Sequence, residues 1–226
     1  MDKILTSNRP DFSEYLVHFT REGDFCNKEQ LEEASLFRKM TAKQKILSIL
    51  NSKKIIASQM PWTNTKGVCF TECPWSSLLA HAEIYSPYGI GFKKSTVFDK
   101  KGAPVFYLRG NLFKRLKELK HKPAIIQELW KYVTTFSPPY RTEYVKKQER
   151  KIGITKSIDY SHEREWRCPS DFKFEISDIE FLVVKSFDDI KDVPTPIKDL
   201  LGERIIIMNN YKEIETLWPV HIMHKK

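Results

Sequence analysis

Short apolar runs alternate with longer amphipathic segments along this chain. Apolar, aromatic and β-branched runs, which are typical of strands, lie at 15–20, 55–57, 67–72, 88–93, 103–109, 179–185 and 204–208. Apolar residues at helical spacing predict two helices within 28–53, further helices at 74–81, 188–203 and 211–218, and one at 111–136 that is broken near Pro123. The polar range 95–102 predicts a short connection, and the basic range 141–155 predicts a mobile loop.

The order of these elements indicates the fold class. Strands and helices are interspersed, but they do not follow the regular β-α-β rhythm of a parallel sheet. The sequence contains no internal repeat, no low-complexity tract and no linker long enough to divide the chain. We therefore predict one α+β domain over 1–226.

Composition narrows the class of protein. Of the 226 residues, 41% are hydrophobic and 12% aromatic, which is typical of a globular chain and not of a disordered one. No apolar run approaches the roughly 20 residues that span a bilayer, and the first residues lack the apolar region of a secretory signal. The sequence thus predicts a soluble, cytoplasmic protein without a membrane partner.

The positive charge is concentrated in one part of the chain. The net charge is +9, and the range 93–151 alone contains 16 Lys and Arg against 5 Asp and Glu. Such a concentration favours a polyanion partner, either RNA or single-stranded DNA, over a merely solvated helical face. Solubility alone is the alternative explanation, and the sequence leaves it open.

The cysteines do not suggest a metal site. Cys69 and Cys73 are separated by three residues, and Cys26 and Cys168 do not form a matching second pair. Structural zinc sites use two such pairs. We predict free thiols and no metal.

The strongest candidate chemistry lies in 160–167, which has the sequence Y-S-H-E-R-E-W-R. If this segment is extended, Glu163 and Glu165 point to the same face. Paired carboxylates there would suit a cationic transition state, whereas a solvated edge strand of mixed charge is the alternative.

The early strand places His18 and Thr20 on one face; a core histidine is the alternative there. Gly89 and Gly91 in one strand suggest a ligand wall or a β-bulge.

Several short blocks occur in a fixed order, and together they resemble a known family. They are L-V-H-F-T at 16–20, V-C-F-T-E-C-P at 68–74, Y-G-I-G-F-K at 88–93, G-A-P-V-F-Y at 102–107 and E-R-E-W-R at 163–167. This set resembles the AbiGi family of phage abortive-infection proteins, and it is more distantly similar to the DarT-type ADP-ribosyltransferases. The transferase resemblance implies a split mixed β-sheet with flanking helices that binds NAD as substrate.

The same resemblance implies roles for individual residues. Glu165, or Glu163 one step away, matches the catalytic carboxylate, which would stabilise the oxocarbenium-like centre formed when the nicotinamide–ribose bond breaks. In the Glu-x-Glu pair of arginine-modifying transferases, the second carboxylate is the catalytic one. The implied NAD-binding residues are His18, Phe19 and Thr20 on the ribose side and Tyr88 or Phe92 against the nicotinamide. Arg167 could meet the pyrophosphate as a bidentate donor, and Arg164 or a residue of the basic range 141–155 is the alternative.

Two function classes remain. The first is an NAD-dependent ADP-ribosyltransferase that modifies nucleic acid as a toxin in anti-phage defence, with an antitoxin protein as partner; a protein side chain is an alternative acceptor. The second is a non-catalytic basic binding protein, or antitoxin-like component, of an abortive-infection system. NAD consumption would separate the two.

Overall fold

A computed structural model describes residues 13–22, 39–72, 77–119 and 123–217. The first of the two helices predicted within 28–53 lies outside these residues, apart from its end, and so do Cys26, Cys73 and the predicted beginning of the 74–81 helix.

Twelve strands cover most of the predicted apolar runs in these residues. In chain order they are β1 (Tyr15–Phe19), β2 (Lys54–Ile55), β3 (Ser58–Gln59), β4 (Lys66–Thr71), β5 (Gly89–Lys93), β6 (Ala103–Pro104), β7 (Phe106–Arg109), β8 (Val133–Phe136), β9 (Glu165–Cys168), β10 (Phe172–Lys173), β11 (Ile179–Val184) and β12 (Ile205–Ile207).

The α-helices of the described residues are shorter than the predicted ones. They are α1 (Ala42–Ser52), α2 (Leu78–Ile84), α3 (Lys94–Asp99), α4 (Gly110–Leu119), α5 (Ala124–Trp130), α6 (Glu143–Lys151), α7 (Thr195–Leu201) and α8 (Met208–Leu217). Turns of 3₁₀ helix occupy Ser161–Glu163, Ile176–Asp178, Phe187–Asp192 and Gly202–Arg204.

Capping by Thr41 fixes where helix α1 begins. The Thr41 hydroxyl accepts a hydrogen bond from the Gln44 backbone N–H over 3.2 Å. The Gln44 side chain accepts one from the Thr41 N–H over 2.8 Å. This reciprocal capping box satisfies backbone donors that the first helical turn leaves unpaired.

The chain forms two compact units. Unit 1 comprises Met1–Ile55, Phe70–Val97 and Lys173–Lys226, and unit 2 comprises Ile56–Cys69 and Phe98–Phe172. Strand β4 therefore contributes residues to both units. Nothing in this division tests the predicted single domain, which stays a prediction.

Unit 1 contains a mixed sheet. Its strand order is β12-β11-β5-β1, followed by the last residues of β4, where Val17 of β1 pairs with Thr71. Strands β11 and β12 are parallel, and the other pairs are antiparallel. On one face the sheet packs against helices α2 and α8 through the buried side chains Val17, Leu78, Ala82, Phe181, Val183 and Met208. The α+β class with a mixed sheet is thus confirmed, whereas the ADP-ribosyltransferase type of sheet stays a prediction.

Unit 2 contains short strands and a small aromatic core. Strand β9 lies between the first residues of β4 and strand β6, and β7 pairs in parallel with β8. Phe113 of α4, Trp130 of α5 and Val133 of β8 form the core, and Trp62 packs against it. The Trp130 indole N–H donates to the Thr63 carbonyl over 3.0 Å. Because that donor is satisfied, the ring can be buried at little cost.

Three predicted secondary-structure assignments between residues 95 and 155 are wrong. The range 141–155 contains helix α6, which begins at a Thr142 cap, has Glu143 in its first turn and ends with Arg150 and Lys151, charges that suit the helix dipole. The range 95–102 contains most of helix α3. The last residues of the predicted helix over 111–136 form strand β8 instead, and their V-T-T-F sequence is rich in β-branched residues.

The two glycines of strand β5 accommodate neighbouring side chains. A Cβ atom on Gly91 would lie 2.4 Å from the Phe181 ring, and one on Gly89 would lie 2.9 Å from the Phe19 ring. The register of β11 against β5 also shifts between Ile179 and Phe181. The glycines are thus explained by packing beside a strand irregularity, and not by a ligand wall.

Among the described helices, none has both the length and the apolar character needed to cross a bilayer.

Candidate functional site

The residues predicted for catalysis and NAD binding occur in both units. Unit 2 contains Glu163, Glu165 and Arg167, whereas unit 1 contains His18, Phe19, Thr20, Tyr88 and Phe92.

Glu165 and Arg167 form a buried ion pair on strand β9. They are two residues apart, so both side chains lie on one face of the strand. Arg167 Nε and Nη2 donate to Glu165 Oε1 over 2.9 and 2.7 Å, and the side chains are only 4% and 11% exposed. Arg167 Nη1 also donates to the carbonyls of Lys131 and Val133, both over 3.1 Å. The carboxylate predicted to be catalytic is therefore paired with a cation that is itself held by the backbone.

Burial and the charges of this ion pair together shift the pKa values of Arg167 and Cys69. Burial alone would lower the pKa of Arg167, but the Glu165 carboxylate raises it above its ordinary value. Burial, reinforced by the charge of Glu165, raises the pKa of the Cys69 thiol well above its ordinary range. At neutral pH the guanidinium is charged and Cys69 is a neutral thiol, which excludes Cys69 as a thiolate nucleophile. Cys69 and Cys168, the two cysteines in the described residues, are thiols outside any disulfide, as the sequence predicts.

Glu163 lies outside the strand that contains Glu165. It ends the 3₁₀ turn Ser161–Glu163, and Arg164 follows with a left-handed φ of 44°. The turn and the left-handed residue interrupt 160–167. The segment is therefore not continuously extended, which was the condition for Glu163 and Glu165 to share a face. Strand alternation places Glu165 and Arg167 on one face, and it does not relate Glu163 to Glu165.

The charges of Glu163 and Glu165 nevertheless both affect the phenol of Tyr107. Tyr107 Oη accepts a hydrogen bond from the Glu165 backbone N–H over 3.0 Å. Burial raises the pKa of Tyr107, and the negative charges of Glu165 and Glu163 raise it further. As whole residues, Glu163 and Glu165 are 8% and 9% exposed. We call Glu163, Glu165, Arg167 and Tyr107 the carboxylate cluster.

In unit 1, Thr20 and Phe92 make structural contacts. The Thr20 hydroxyl donates to the Ala42 carbonyl over 2.9 Å and is buried. The Phe92 ring is fully buried and meets the rings of Phe70 and Phe174 at 6.1 and 5.1 Å between centroids. Ring contacts on two sides leave Phe92 inside the core.

Tyr88 belongs to a network of charged groups in the same unit. Its hydroxyl donates to Asp189 Oδ2 over 3.3 Å, and Lys43 pairs with Asp189 and Asp192 over 2.8 and 2.6 Å. Burial, together with the charge of Asp189, raises the pKa of Tyr88 to about 12. The phenol is therefore neutral and tied to a carboxylate. The sequence predicted a role for Tyr88 but not for Lys43 or Asp189.

His18 and Phe19 are both half-buried on strand β1. The His18 ring meets Phe70 edge-on, with 5.9 Å between centroids. The Phe19 ring lies parallel to His81 and to Tyr85, at 6.3 and 6.4 Å. Adjacent residues of a strand point to opposite faces, so these two side chains belong to different aromatic clusters.

Unit 2 contains an open cavity that the sequence did not predict. Its volume is about 570 Å³. The apolar wall includes Pro61, Trp62, Phe113, Ile152, Ile154 and Ile158, and the charged side chains around it are Lys114, Lys117, Glu118 and Lys156. The buried Thr135 of strand β8 also lines it. These residues come from distant parts of the chain, which no local sequence pattern connects.

The two units differ in net charge. Counted over the sequence, unit 2 has 18 Lys and Arg against 9 Asp and Glu, whereas unit 1 has 20 of each. The whole excess of +9 therefore belongs to unit 2. Two of its acidic residues, Glu149 and Glu165, are buried in ion pairs with Arg141 and Arg167. Each pair removes one charge of either sign from the surface, so the basic excess of unit 2 stays the same.

Helix α6 carries part of this basic surface. Lys147, Arg150 and Lys151 are exposed on it, as is 73% of Tyr144. Residues 144, 147 and 151 are three and four positions apart, so they share one face of the helix. No group of three or more His, Cys, Asp or Glu side chains in the described parts of the chain is placed to hold a metal ion.

Comparison with known proteins gives one match. The model of a family described as "Putative abortive phage resistance protein AbiGi, antitoxin" matches residues 35–193, which is more than half of the chain. No curated protein matches the chain, and no solved structure matches it.

Proposed function

The chain belongs to the AbiGi family, and from this premise we propose that it is a non-catalytic, antitoxin-like component of abortive phage resistance that binds nucleic acid through unit 2. The family description supports the setting and the antitoxin role. The nucleic-acid partner is inferred from the charge of unit 2.

One observation carries this proposal: the unequal distribution of charge. A protein that needed charge only for solubility would have no reason to confine all of the excess to one unit. Nucleic acid is a dense polyanion, and Lys and Arg side chains bind it by displacing condensed counterions. Unit 2 combines its 18 basic residues with exposed aromatic rings, including those of Tyr140 and Tyr144, on which bases can stack.

The carboxylate cluster supports the absence of catalysis. A carboxylate that stabilises a cationic transition state must offer its negative charge to the substrate. The Glu165 charge is already matched by Arg167, at 2.7 Å and with both side chains buried. This arrangement is typical of a structural ion pair.

Salt-dependent binding tests the proposal. Anisotropy of labelled 20-nucleotide RNA, single-stranded DNA and duplex DNA is measured against salt concentration. Changing both Lys147 and Lys151 to Gln removes two exposed cations from one face of helix α6. We expect weaker binding to every sequence and a slope of log K against log salt that is shallower by about 1.4 for a single strand, because each phosphate contact contributes about 0.7.

The matched control changes Lys185 and Lys212, which are exposed in unit 1, to Gln. Both double variants lose the same net charge, and only the α6 variant should lose affinity. Equal losses would mean that total charge, and not a surface of unit 2, determines binding. Absence of binding at low salt would remove nucleic acid as the partner, and binding with no salt dependence would remove the charge of unit 2 as its cause.

The two carboxylates favour a second candidate, the NAD-dependent ADP-ribosyltransferase. Burying two acidic residues beside one phenol is costly, and such clusters occur disproportionately at catalytic sites. Glu163 and Glu165 match the Glu-x-Glu pattern of the transferases that the sequence resembles. In this candidate, Glu165 stabilises the positive charge on the ribose and Glu163 accepts the proton of the acceptor nucleophile.

Labelled NAD separates the two candidates. The protein is incubated with NAD and, separately, with RNA, DNA and protein pools. The transferase candidate predicts transfer to one pool and a loss of about 100-fold or more in Glu165→Gln. Glu163→Gln is the matched variant because it leaves the Glu165–Arg167 pair intact, and thermal melting of both variants excludes unfolding as the cause. NAD that survives in every pool would remove this candidate and leave the binding protein.

A further inference from the structure

The cavity of unit 2 has the size of a small-molecule site. Its volume of about 570 Å³ lies within the range of roughly 300–1,000 Å³ that ligand pockets occupy. One side is formed by helix α4, where Gly110, Phe113, Lys114 and Lys117 recur at helical spacing on one face. The size and the mixture of apolar and charged walls suit a compact ligand.

Thr135 provides an independent indication of a ligand. Thr135 is only 3% exposed, and its side-chain Oγ1 has no hydrogen-bond partner in the part of the chain that the structure describes. Thr135 shares a strand face with Val133, which packs against Phe113, and Phe113 itself lines the cavity. The side chain is therefore directed toward the cavity wall. Native proteins leave few buried polar groups unpaired, so a ligand atom that bonds this hydroxyl would remove an unfavourable feature.

The remaining walls indicate the chemistry of that ligand. Trp62 is half-buried and offers an aromatic surface on which a flat ring can stack. The exposed ammonium-bearing side chains of Lys114, Lys117 and Lys156 surround the same space. They outnumber the one acidic lining residue, Glu118, and favour an anion. A flat ring, a polar group and an anionic group are combined in a nucleoside phosphate.

We propose that the unit 2 cavity binds a nucleoside phosphate. The base packs against Trp62 and the apolar wall, a polar group of the ligand pairs with the Thr135 hydroxyl, and the phosphate meets the lysines. A free mononucleotide and one nucleotide of a bound strand have the same chemistry. The inference does not rest on nucleic-acid binding by helix α6, because a free nucleotide needs no second surface.

Calorimetry on the full chain tests the site with AMP, GMP, CMP and UMP, with the four nucleosides and with inorganic phosphate. We expect a mononucleotide to bind more tightly than its nucleoside and than phosphate, since base and phosphate each contribute. A 5′-phosphorylated decamer, in competition with the mononucleotide, distinguishes the sources. Displacement by the decamer shows that a strand can supply the ligand, and lack of displacement assigns the site to a free nucleotide.

The decisive variant is Thr135→Val, which keeps the side-chain shape and removes the hydroxyl. Without ligand, we expect a higher Tm than that of the wild type, because an unpaired buried polar group is gone. Affinity for the mononucleotide should fall by about tenfold, the effect of losing one hydrogen bond. The control is Ser86→Ala in unit 1, which removes a buried hydroxyl that already donates to the Thr20 carbonyl over 2.7 Å. It should lower the Tm and leave nucleotide affinity unchanged.

Two results would overturn the site: no mononucleotide binding at millimolar concentration, or unchanged affinity in Thr135→Val. Failure of nucleic-acid binding is a separate result. Changing Lys147 and Lys151 to Gln tests strand binding, and these two residues do not line the cavity, so mononucleotide affinity should survive in that variant.

Discussion

Arg167→Met is expected to lower the free energy of unfolding by about 3–5 kcal/mol, the usual cost of removing one partner from a buried ion pair. Methionine has a similar length and is apolar, so the loss reports the charge and the donors and not a large cavity. Without the guanidinium, the Glu165 carboxylate loses its neutralising partner, and the carbonyls of Lys131 and Val133 lose a donor that each now receives over 3.1 Å. Each of these changes leaves a buried polar group less well satisfied.

Urea unfolding monitored by circular dichroism measures this effect, and two variants control it. Lys146→Met removes one partner of the ion pair with Glu143, whose side chain is 77% exposed, and should change stability by less than about 0.5 kcal/mol. Combining Glu165→Leu with Arg167→Met replaces both charges by apolar groups and should recover much of the loss. A loss below about 1 kcal/mol in Arg167→Met would contradict a structural ion pair. It would strengthen the case for Glu165 as a catalyst.

The sequence contained enough information to identify this pair, although not its energetic role. Residues two apart in a strand share a face, and E-W-R at 165–167 lies within strand β9. The same rule, applied two residues earlier in the chain, linked Glu163 with Glu165 instead. The error arose because the left-handed φ of Arg164 breaks the strand, and arginine gives no signal for that conformation.

Other parts of the fold differ in how far sequence could predict them. Strands β1 and β11 were predictable because short runs rich in apolar, aromatic and β-branched residues were bounded by polar residues. Helix α6 was missed because its residues are almost all polar, so hydrophobic spacing carried little signal. Its Thr142 cap and its charge order did indicate a helix.

The cavity residues were not predictable in principle from local pattern. Trp62, Phe113, Thr135 and Ile154 come from four separate stretches, and only the folded unit brings them together. Thr135 in particular looks like any β-branched strand residue. Its unpaired hydroxyl becomes visible only when every neighbouring donor and acceptor is placed.

Gly91→Ala is expected to lower the free energy of unfolding by about 3 kcal/mol, at the upper end of the range for overpacking a core. The added Cβ would lie 2.4 Å from two atoms of the Phe181 ring and 2.7 Å from a third. That ring is held by its edge-on contact with Tyr15 and by the core around Val17 and Met208. Gly91 does not have a left-handed φ, so alanine adds no backbone strain and even favours folding by about 0.4–1 kcal/mol through the unfolded state. The expected loss is therefore purely steric.

A double-mutant cycle with Phe181→Leu tests that steric cause. Phe181→Leu alone should destabilise unit 1, since a buried ring is replaced by a smaller side chain. Together with Gly91→Ala it should cost less than the sum of the two single losses, because the leucine leaves room for the new methyl group. Coupling of about 1 kcal/mol or more would establish that a glycine is needed at position 91 to leave room for the Phe181 ring. Strict additivity would show that the glycine serves another purpose, and the hypothesis of a ligand beside strand β5 would then be open again.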